Sequence, residues 1–178
     1  MIELHAPPMT WWLTGLPAAG KSTLAEAIKL RLMSHGLPVC VLDGDVIRLG
    51  LSADLGFSIE GRTEQIRRTA EVAKLLNDQG IWVAVALVSP IKAAREMARS
   101  IIGTNRFIEV YVSTNLEVCT ARDPKGLYAK ARIDPNFGLT GAQAAFEPPT
   151  MPALVLDTAS VSLNDCTNLL IDVAGKNL

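Results

Sequence analysis

The chain is short of the features that mark disulfide scaffolds and metal-binding proteins. It has three cysteines among 178 residues, and the wide spacing of Cys40, Cys119 and Cys166 leaves no pair at the separation of metal ligands. An odd number of cysteines embedded in apolar runs is typical of reduced thiols in a cytosolic protein. The two histidines, His5 and His35, are too isolated to form a site.

Long apolar runs and an excess of one charge are also missing. No apolar stretch approaches the roughly 20 residues of a membrane span, and neither end resembles a signal peptide. Because 17 Lys and Arg face 18 Asp and Glu, the net charge of -1 creates no overall field toward nucleic acid or a membrane. We therefore expect a soluble, cytoplasmic protein with neither of those partners.

A phosphate-binding loop is the strongest motif in the chain. Residues 15–23 read GLPAAGKST, which fits G-x-x-x-x-G-K-[ST], with a strand-like run before it and a helical pattern after it. Backbone N–H groups of such a loop surround a phosphate at the positive end of a helix. In this motif Lys21 reaches the β- and γ-phosphates, and the Ser22 hydroxyl binds Mg²⁺. The predicted ATP contacts in the loop are Gly15, Pro17, Ala18, Ala19, Gly20, Lys21, Ser22 and Thr23.

Strand and helix patterns alternate along the rest of the chain. The predicted strands are Thr10–Thr14, Val39–Leu42, Trp82–Val88, Phe107–Val112 and Leu154–Leu156. The predicted helices are Lys21–His35, Glu60–Gln79, Ile91–Ile102, Leu116–Arg122 and Leu163–Ala174. This pattern predicts an α/β fold of the P-loop NTPase type, a three-layer sandwich in which a parallel five-stranded sheet has helices on both faces. We expect a single kinase domain over residues 1–178, and a first strand so close to Met1 leaves no room for a partner domain.

One segment, residues 132–152, breaks this regularity. It is rich in proline and glycine and has no apolar period. An irregular stretch of this length in a compact domain is usually a lid or disordered. Because a nucleotide site is expected nearby, we interpret it as a lid.

The end of the second predicted strand carries charged residues. The sequence Leu42–Arg48 (LDGDVIR) places Asp43, Asp45 and Arg48 at the carboxyl edge of the sheet, where ligands bind. If a helix begins near Asp45, that residue and Arg48 share one face. A carboxylate there can accept the proton of an attacking hydroxyl or hold Mg²⁺, and an arginine can bind an anionic substrate. The simpler interpretation is an N-cap aspartate with a surface ion pair. The absence of an N-K-x-D tetrapeptide weakens the alternative of a GTPase.

Beyond these motifs, the chain resembles the adenylylsulfate kinase (APS kinase) family. The matching stretches are Trp12–Thr23, Leu42–Arg48, Gly50–Ser58 (GLSADLGFS), Arg62–Leu75, Ser89-Pro90, Phe107–Val112, Val118–Arg132 (VCTARDPKGLYAKAR), Thr140-Gly141 and Asn164-Asp165-Cys166. They follow the family's order and cover essentially the whole domain. The resemblance implies transfer of the ATP γ-phosphate, with Mg²⁺, to the 3′-hydroxyl of adenosine 5′-phosphosulfate (APS), a step of sulfate activation.

The resemblance also implies an APS pocket. APS carries a phosphosulfate and a purine, so it needs cations, hydrogen-bond donors and a flat apolar surface. Arg48 and Arg62 supply cations, and the Phe57 ring offers a face for adenine, worth about 1–3 kcal/mol by analogy with base stacking. Taken alone, Phe57 would more often be a core residue. The family pattern adds Gln65, Val88, Ser89, Lys125, Leu139 and Thr140 to the pocket.

Further roles follow from the same resemblance. The expected catalytic residues are Lys21, Asp45 and Ser89. Asp45 contacts APS and orients or deprotonates its 3′-hydroxyl, whereas Ser22 and Asp43 bind the metal, Asp43 directly or through water. Arg122 is expected to pack on the adenine of ATP.

Two further interpretations concern residues whose role is less specific. The family has been discussed in terms of a phosphoserine at Ser89, but we favour direct transfer because positioning and charge neutralisation suffice for phosphoryl transfer. Arg67 and Arg68 are interpreted as a solvated helix face and left out of the site.

The chain departs from the family pattern in several places. Ala18 occupies a position where the family has glycine, Gln65 replaces an asparagine and Ile91 replaces an aromatic residue. In the lid, Leu139 stands where the family has the second ring around the adenine, and Phe137 stands where it has a lysine. We expect weaker APS binding than two rings give, unless Phe137 replaces the lost ring.

Alternatives stay open. The altered lid favours a kinase that acts on another small nucleotide or alcohol, and a non-catalytic nucleotide-binding module or a module detached from a fused sulfurylase–kinase are further alternatives. The resemblance suggests a homodimer, and a separately encoded ATP sulfurylase partner is also left open.

Overall fold

The computed structural model describes residues 7–176 of the chain; His5 and the rest of residues 1–6, and residues 177–178, lie outside the described residues. Its centre is a five-stranded sheet with the order β2-β3-β1-β4-β5, in which all paired strands are parallel. The strands are β1 (Thr10–Thr14), β2 (Val39–Asp43), β3 (Trp82–Ala86), β4 (Phe107–Val112) and β5 (Leu154–Leu156). The predicted α/β architecture is confirmed.

Seven helices lie within the described residues. They are α1 (Lys21–Met33), α2 (Gly44–Arg48), α3 (Ile59–Asp78), α4 (Lys92–Ile102), α5 (Leu116–Arg122), α6 (Leu127–Ile133) and α7 (Leu163–Lys176). Helices α1 and α7 pack against each other, and so do α3 and α4. The conditional prediction of a helix near Asp45 is confirmed by α2. Helix α6 was not predicted: its N-cap residue is Gly126, which has no side chain to cap it, whereas α5, which is equally short, begins at the cap residue Asn115.

Two apolar clusters form the core, one on each side of the sheet. Because successive residues of a strand point to opposite faces, Trp11 and Trp12 of β1 belong to different clusters. Trp11 stacks on Trp82 with ring centroids 5.2 Å apart, and Trp12 packs beside Phe107 at 5.6 Å. Burial on both faces fixes β1 in the middle of the sheet, so the loop that follows it starts from a rigid strand.

Polar side chains begin several of the helices that surround the sheet. The carboxylate of Asp43 accepts the Asp45 N–H at the start of α2, and the Ser58 hydroxyl accepts the Gly61 N–H at the start of α3. Asn115 caps α5 in the same way. Such caps satisfy N–H groups that have no partner inside the helix, so the local sequence sets where each helix begins.

Several boundaries differ from the prediction by one or two residues, among them the end of α1, at Met33 rather than His35, and the end of α7, at Lys176 rather than Ala174. Strand β3 ends at Ala86 rather than at Val88, because the next residues bend away toward the loop after β1. Of the segment 132–152, the first two residues belong to α6, and residues 134–152 contain no helix or strand named above. Its function as a lid stays a prediction.

Candidate active site

A cavity of about 740 Å³ opens at the carboxyl edge of the sheet. It is bounded by the loop after β1, the ends of β2 and β3, the start of α3, the α5–α6 turn, the segment 137–140 and the loop after β5. Eighteen of the twenty predicted site residues line it, and Gly15 and Ala19 do not. The lining residues are Pro17, Ala18, Gly20, Lys21, Ser22, Thr23, Asp43, Asp45, Arg48, Phe57, Arg62, Gln65, Val88, Ser89, Arg122, Lys125, Leu139 and Thr140.

Gly15 and Ala19 support the loop through the backbone instead. A Cβ on Gly15, whose φ is 152°, would lie 2.4 Å from the Val112 carbonyl oxygen, so glycine allows the loop to pass close to β4. The Ala19 carbonyl accepts hydrogen bonds from Thr114 and Thr158. Both residues therefore shape the phosphate-binding loop without facing the cavity.

The phosphate-binding loop has the left-handed turns that its function needs. Gly20, the N-cap of α1, has φ 104°, and Ala18 has φ 61°, a conformation that costs a residue with a Cβ about 1–2 kcal/mol. The Lys21 ammonium is buried and donates to the carbonyls of Gly15 (2.9 Å) and Leu16 (2.7 Å). Burial lowers the pKa of Lys21 to about 8. A phosphate beside this nitrogen would favour its charged form.

Two oxygen donors for a metal ion meet beside the loop. The Ser22 hydroxyl donates to Asp43 Oδ2 at 2.5 Å, while Asp43 Oδ1 caps α2. A hydroxyl and a carboxylate are hard ligands that suit Mg²⁺, which keeps several waters and binds substrate phosphates. Within residues 7–176 no cluster of three or more His, Cys, Asp or Glu could hold a metal ion. The donor set fits an ion that arrives with a nucleotide.

The candidate catalytic carboxylate and one candidate substrate-binding cation form an ion pair at the cavity. Asp45, on the first turn of α2, forms an ion pair with Lys125 in the α5–α6 turn. Both side chains are exposed, and the hydrogen bond to Asp45 raises the pKa of Lys125. Both features of the simpler interpretation of this region are present: Asp43 is the N-cap of α2, and Asp45 forms the surface ion pair.

Phe57 stands at the acceptor side of the cavity with its ring 66% exposed. Phe57 is therefore not a core residue, although a phenylalanine taken alone would more often be one. The Arg48 guanidinium lies 4.2 Å from the ring centroid and that of Arg62 lies 5.5 Å away, so both cations flank the ring. Burial lowers the pKa of Arg62, and the neighbouring charge of Arg48 adds to this. An exposed ring beside two cations can hold a flat base attached to an anionic group.

The bottom of the cavity contains a strained serine. Ser89 has φ 45°, which is costly for a residue other than glycine, and it is buried. Its hydroxyl accepts the Trp12 indole N–H at 3.0 Å, and its carbonyl accepts a hydrogen bond from Arg95 at 2.7 Å. Nearby, the buried Gln65 amide donates to the Gly44 carbonyl at 3.1 Å. These bonds fix the end of β3 against the beginning of α2 and α4.

Arg95 also ties the far end of the segment 132–152 to this serine. It is buried, pairs with Glu109 at 3.0 Å and donates to the Glu147 carbonyl at 2.8 Å. The Glu147 carboxylate in turn accepts the Lys92 N–H at 2.6 Å and thus caps α4 from outside the helix. Sequence reasoning missed Arg95, because an arginine within an amphipathic helix carries no local sign that it is buried.

The segment 137–140 covers the acceptor side. Leu139 is buried in the core, Phe137 packs against the same cluster, and the Gly138 carbonyl accepts a hydrogen bond from Arg62 at 3.2 Å. Thr140 is 1% exposed, and its hydroxyl has no hydrogen-bond partner among the described residues. A buried hydroxyl without a partner costs about 1–3 kcal/mol, so a ligand that completes the bond would be favoured.

Arg122 borders the opposite end of the cavity, near the phosphate-binding loop. Its guanidinium donates to the Thr158 hydroxyl (2.7 Å) and carbonyl (2.9 Å), and that hydroxyl donates to the Ala19 carbonyl at 2.8 Å. Thr158, which sequence reasoning also missed, therefore connects Arg122 to the phosphate-binding loop. One planar cation is held at a fixed distance from the expected phosphates.

A nucleotide at the phosphate-binding loop and an acceptor beside Phe57 would meet in one cavity, which is the arrangement of a P-loop kinase. The sequence model of the adenylylsulphate kinase family matches residues 7–157. The chain belongs to this family.

Relatives and a solved structure agree with that family. The chain is 51% identical over 162 residues to the adenylyl-sulfate kinase of Bacteroides thetaiotaomicron, which covers 91% of this chain and 81% of the relative. It is 47% identical over 165 residues to that of Shewanella halifaxensis, covering 93% and 80%. The Mycobacterium tuberculosis APS kinase CysC, solved in complex with AMPPNP and APS, superposes with a TM-score of 0.89 at 40% identity over 94% of this chain and 97% of that one. No helix within residues 7–176 is both long and apolar enough to cross a membrane.

Proposed function

We propose that this chain transfers the γ-phosphate of ATP to the 3′-hydroxyl of APS. The observation that carries the proposal is the exposed Phe57 ring between Arg48 and Arg62, in the same cavity as the phosphate-binding loop. A purine with an anionic phosphosulfate matches one ring and two cations. The curated relatives are adenylyl-sulfate kinases at 47–51% identity, which supports this acceptor over another nucleotide or an alcohol.

The ATP side positions and neutralises the triphosphate. Backbone N–H groups of the loop and the Lys21 ammonium bind the β- and γ-phosphates, because a helix N-terminus and a buried cation both favour anions. To bind them, Lys21 exchanges its bonds to the Gly15 and Leu16 carbonyls for bonds to the phosphates. Ser22 and Asp43 would hold Mg²⁺, which supplies positive charge against the phosphate oxygens during transfer. Arg122 packs on the adenine.

The acceptor side presents the nucleophile. Asp45 exchanges its bond with Lys125 for one with the 3′-hydroxyl and takes the proton as the bond from the ribose oxygen to the γ-phosphorus forms. The bond between that phosphorus and the bridging oxygen breaks at the same time, and ADP leaves. Lys125, released from the pair, binds the anionic substrate. Positioning and charge neutralisation account for most of the rate of such a transfer.

Gln65, Val88, Ser89, Leu139 and Thr140 complete the APS pocket in this proposal. Because the Ser89 hydroxyl accepts a hydrogen bond from Trp12, it keeps its proton available for a substrate oxygen. Direct transfer therefore assigns Ser89 a positioning task rather than a phosphoserine intermediate. The Thr140 hydroxyl, which lacks a partner among the described residues, is a second donor for the substrate.

The experiment is a coupled product analysis. Purified protein is incubated with ATP, Mg²⁺ and APS, and ADP and 3′-phosphorylated APS are measured by chromatography; we expect them in equal amounts. AMP, which keeps the purine but lacks the sulfate, and gluconate serve as control acceptors. Turnover of a control acceptor without turnover of APS would assign the kinase to another substrate, and binding of ATP without any transfer would make it a non-catalytic module.

Several expectations from the sequence go beyond this activity and stay predictions. They are the extent of a single domain over residues 1–178, the lid function of residues 132–152, the cytoplasmic location, the homodimer and a separately encoded ATP sulfurylase partner.

A further inference from the structure

The Phe57 ring sits on an irregular segment, residues 49–58, which we name the platform loop. It connects α2 to α3, and arginines from those two helices donate to its carbonyls. Arg48 donates to the carbonyls of Leu55 (3.0 Å) and Gly56 (3.2 Å), and Arg62 donates to that of Phe57 (2.8 Å). The end of the loop that carries the ring is thus held by the two cations that also face the cavity.

A third arginine, Arg68, holds the other half of the platform loop. Its guanidinium donates to the Leu51 carbonyl at 2.9 Å and to both carboxylate oxygens of Asp54, at 2.6 and 2.9 Å. It also donates to Glu64 on α3 at 3.0 Å. A bidentate arginine–carboxylate pair fixes both the distance and the angle between the guanidinium and the carboxylate. The hydrogen bond from Arg68 lowers the pKa of Asp54, so the pair is charged at neutral pH. Arg68 lies outside the cavity lining, on a partly exposed helix face, and in addition it binds the platform loop.

The three arginines differ in what a substrate would do to them. Arg48 and Arg62 line the cavity, so an anionic substrate competes with the loop carbonyls for their N–H groups. Arg68 is not among the lining residues, and its side chain is 26% exposed on the outer side of α3. A substrate in the cavity would therefore not compete for the bonds from Arg68 to Leu51 and Asp54. Ser52, fully buried between these two residues, gives this half of the loop a packed anchor.

We infer that Arg68 is a positioning residue for the acceptor: it clamps the platform loop so that Phe57 keeps its place while Arg48 and Arg62 turn to the substrate. This inference rests on the proposed function. Arg68 touches neither substrate nor the reacting atoms, and acts through Leu51 and Asp54. Its loss should weaken binding of the acceptor and leave the ATP side as it is.

Arg67 provides a matched control. It precedes Arg68 on α3 and pairs with Glu64 at 2.8 Å and with Glu71 at 3.6 Å, both on the same helix. Each of the two variants Arg67→Ala and Arg68→Ala removes one arginine that pairs with Glu64, through two hydrogen bonds from Arg67 and one from Arg68. The difference between them isolates the bonds to the platform loop.

The kinetic test compares these variants with the wild type. We expect Arg68→Ala to raise the KM for APS by about tenfold, with kcat and the KM for ATP within about twofold, because only acceptor binding is affected. Arg67→Ala should match the wild type. Arg68→Lys keeps the charge but cannot form the bidentate pair with Asp54, so it should recover less than half of the APS affinity that Arg68→Ala loses. Asp54→Ala should reproduce the Arg68→Ala effect, and the double variant should add little to either.

Other results would overturn the clamp. An unchanged KM for APS in Arg68→Ala refutes it, and so does an equal fall of kcat and of affinity for both substrates, which would indicate a general structural loss. A second measurement is independent of turnover: amide exchange of residues 49–58 without substrate should be faster in Arg68→Ala than in Arg67→Ala, and equal rates refute the clamp. A wild type that does not phosphorylate APS would refute the proposed function, with the exchange experiment still deciding on the clamp.

Discussion

The two ends of the cavity are held in place by different means. The phosphate-binding loop lies between a fully buried strand and a long helix, and side chains bond to its backbone, as Lys21 does to Gly15 and Leu16 from within the loop and Thr158 does to Ala19 from outside it. On the acceptor side, the exposed Phe57 ring and the segment 137–140 are held by arginine side chains, as in the bonds from Arg62 to the Phe57 and Gly138 carbonyls. A rigid donor side therefore faces an acceptor side whose geometry depends on arginines. Variants on the two sides should separate chemistry from acceptor binding.

The largest effect should come from the donor side. Replacing Lys21 with alanine removes the cation at the transferred phosphate, and we expect kcat to fall by about 10²–10³-fold, the range for loss of one preorganised donor. Circular dichroism should show a folded protein. A loss of less than tenfold in steady-state assays would mean that the lysine does not stabilise the transfer.

On the acceptor side, Asp45→Asn should come next. The amide cannot take the proton of the 3′-hydroxyl, so we expect kcat to fall by about 100-fold, the low end of general base catalysis. The KM for ATP should stay the same, since Asp45 lies on the acceptor side. Because the variant also frees Lys125, Lys125→Met is the control; a loss of equal size and kind there would assign the effect to the pair instead of to the base.

The pKa of Lys21 makes the donor side dependent on pH. With this pKa near 8 in the free protein, the lysine is mostly charged at pH 7 and mostly neutral at pH 9. Since only the charged form attracts phosphate, the Kd for ATP should rise by about tenfold between these two values. The measurement is an isothermal calorimetric titration of the protein with ATP at each pH. The Lys21→Arg variant, which stays protonated, should show the same Kd for ATP at pH 7 and pH 9. A flat wild-type profile would contradict the lowered pKa.

The smallest effect concerns the lid segment. Phe137 lines the cavity, two residues from the leucine that replaces the family's second ring. If Phe137 covers the adenine of APS, Phe137→Ala should raise the KM for APS by roughly threefold to tenfold, as expected for loss of one stacking contact. Phe146→Ala, which removes a ring that stacks on Tyr111 away from the cavity lining, is the control. An unchanged KM for APS in Phe137→Ala would show that Phe137 does not replace the family's second ring.

The donor side of the cavity could be predicted from the sequence more fully than the acceptor side. The sheet and the phosphate-binding loop follow from local patterns: apolar strands, a glycine-rich turn and the lysine after it. The residues at the end of β2 were found as well, because Asp43 and Asp45 stand next to a strand end. Resemblance to the family supplied the residues of the acceptor pocket, and the structure brings them into one cavity.

Residues that act by supporting others were missed. Arg68, Arg95 and Thr158 have partners 14 to 52 positions away, and nothing in their own neighbourhood marks them. The pair between Asp45 and Lys125 spans 80 positions and depends on how two loops meet. Such contacts are set by tertiary packing, which a periodic pattern does not contain.

The hydrogen bond between Trp12 and Ser89 has a practical consequence. Indole emission depends on what surrounds the ring nitrogen, and here that nitrogen is bonded to a side chain of the acceptor wall. Trp11 and Trp82 stack on each other on the other face of the sheet, remote from this bond. We therefore expect the emission of Trp12 to change when an acceptor binds at Ser89, and stopped-flow fluorescence would follow that binding without an attached dye.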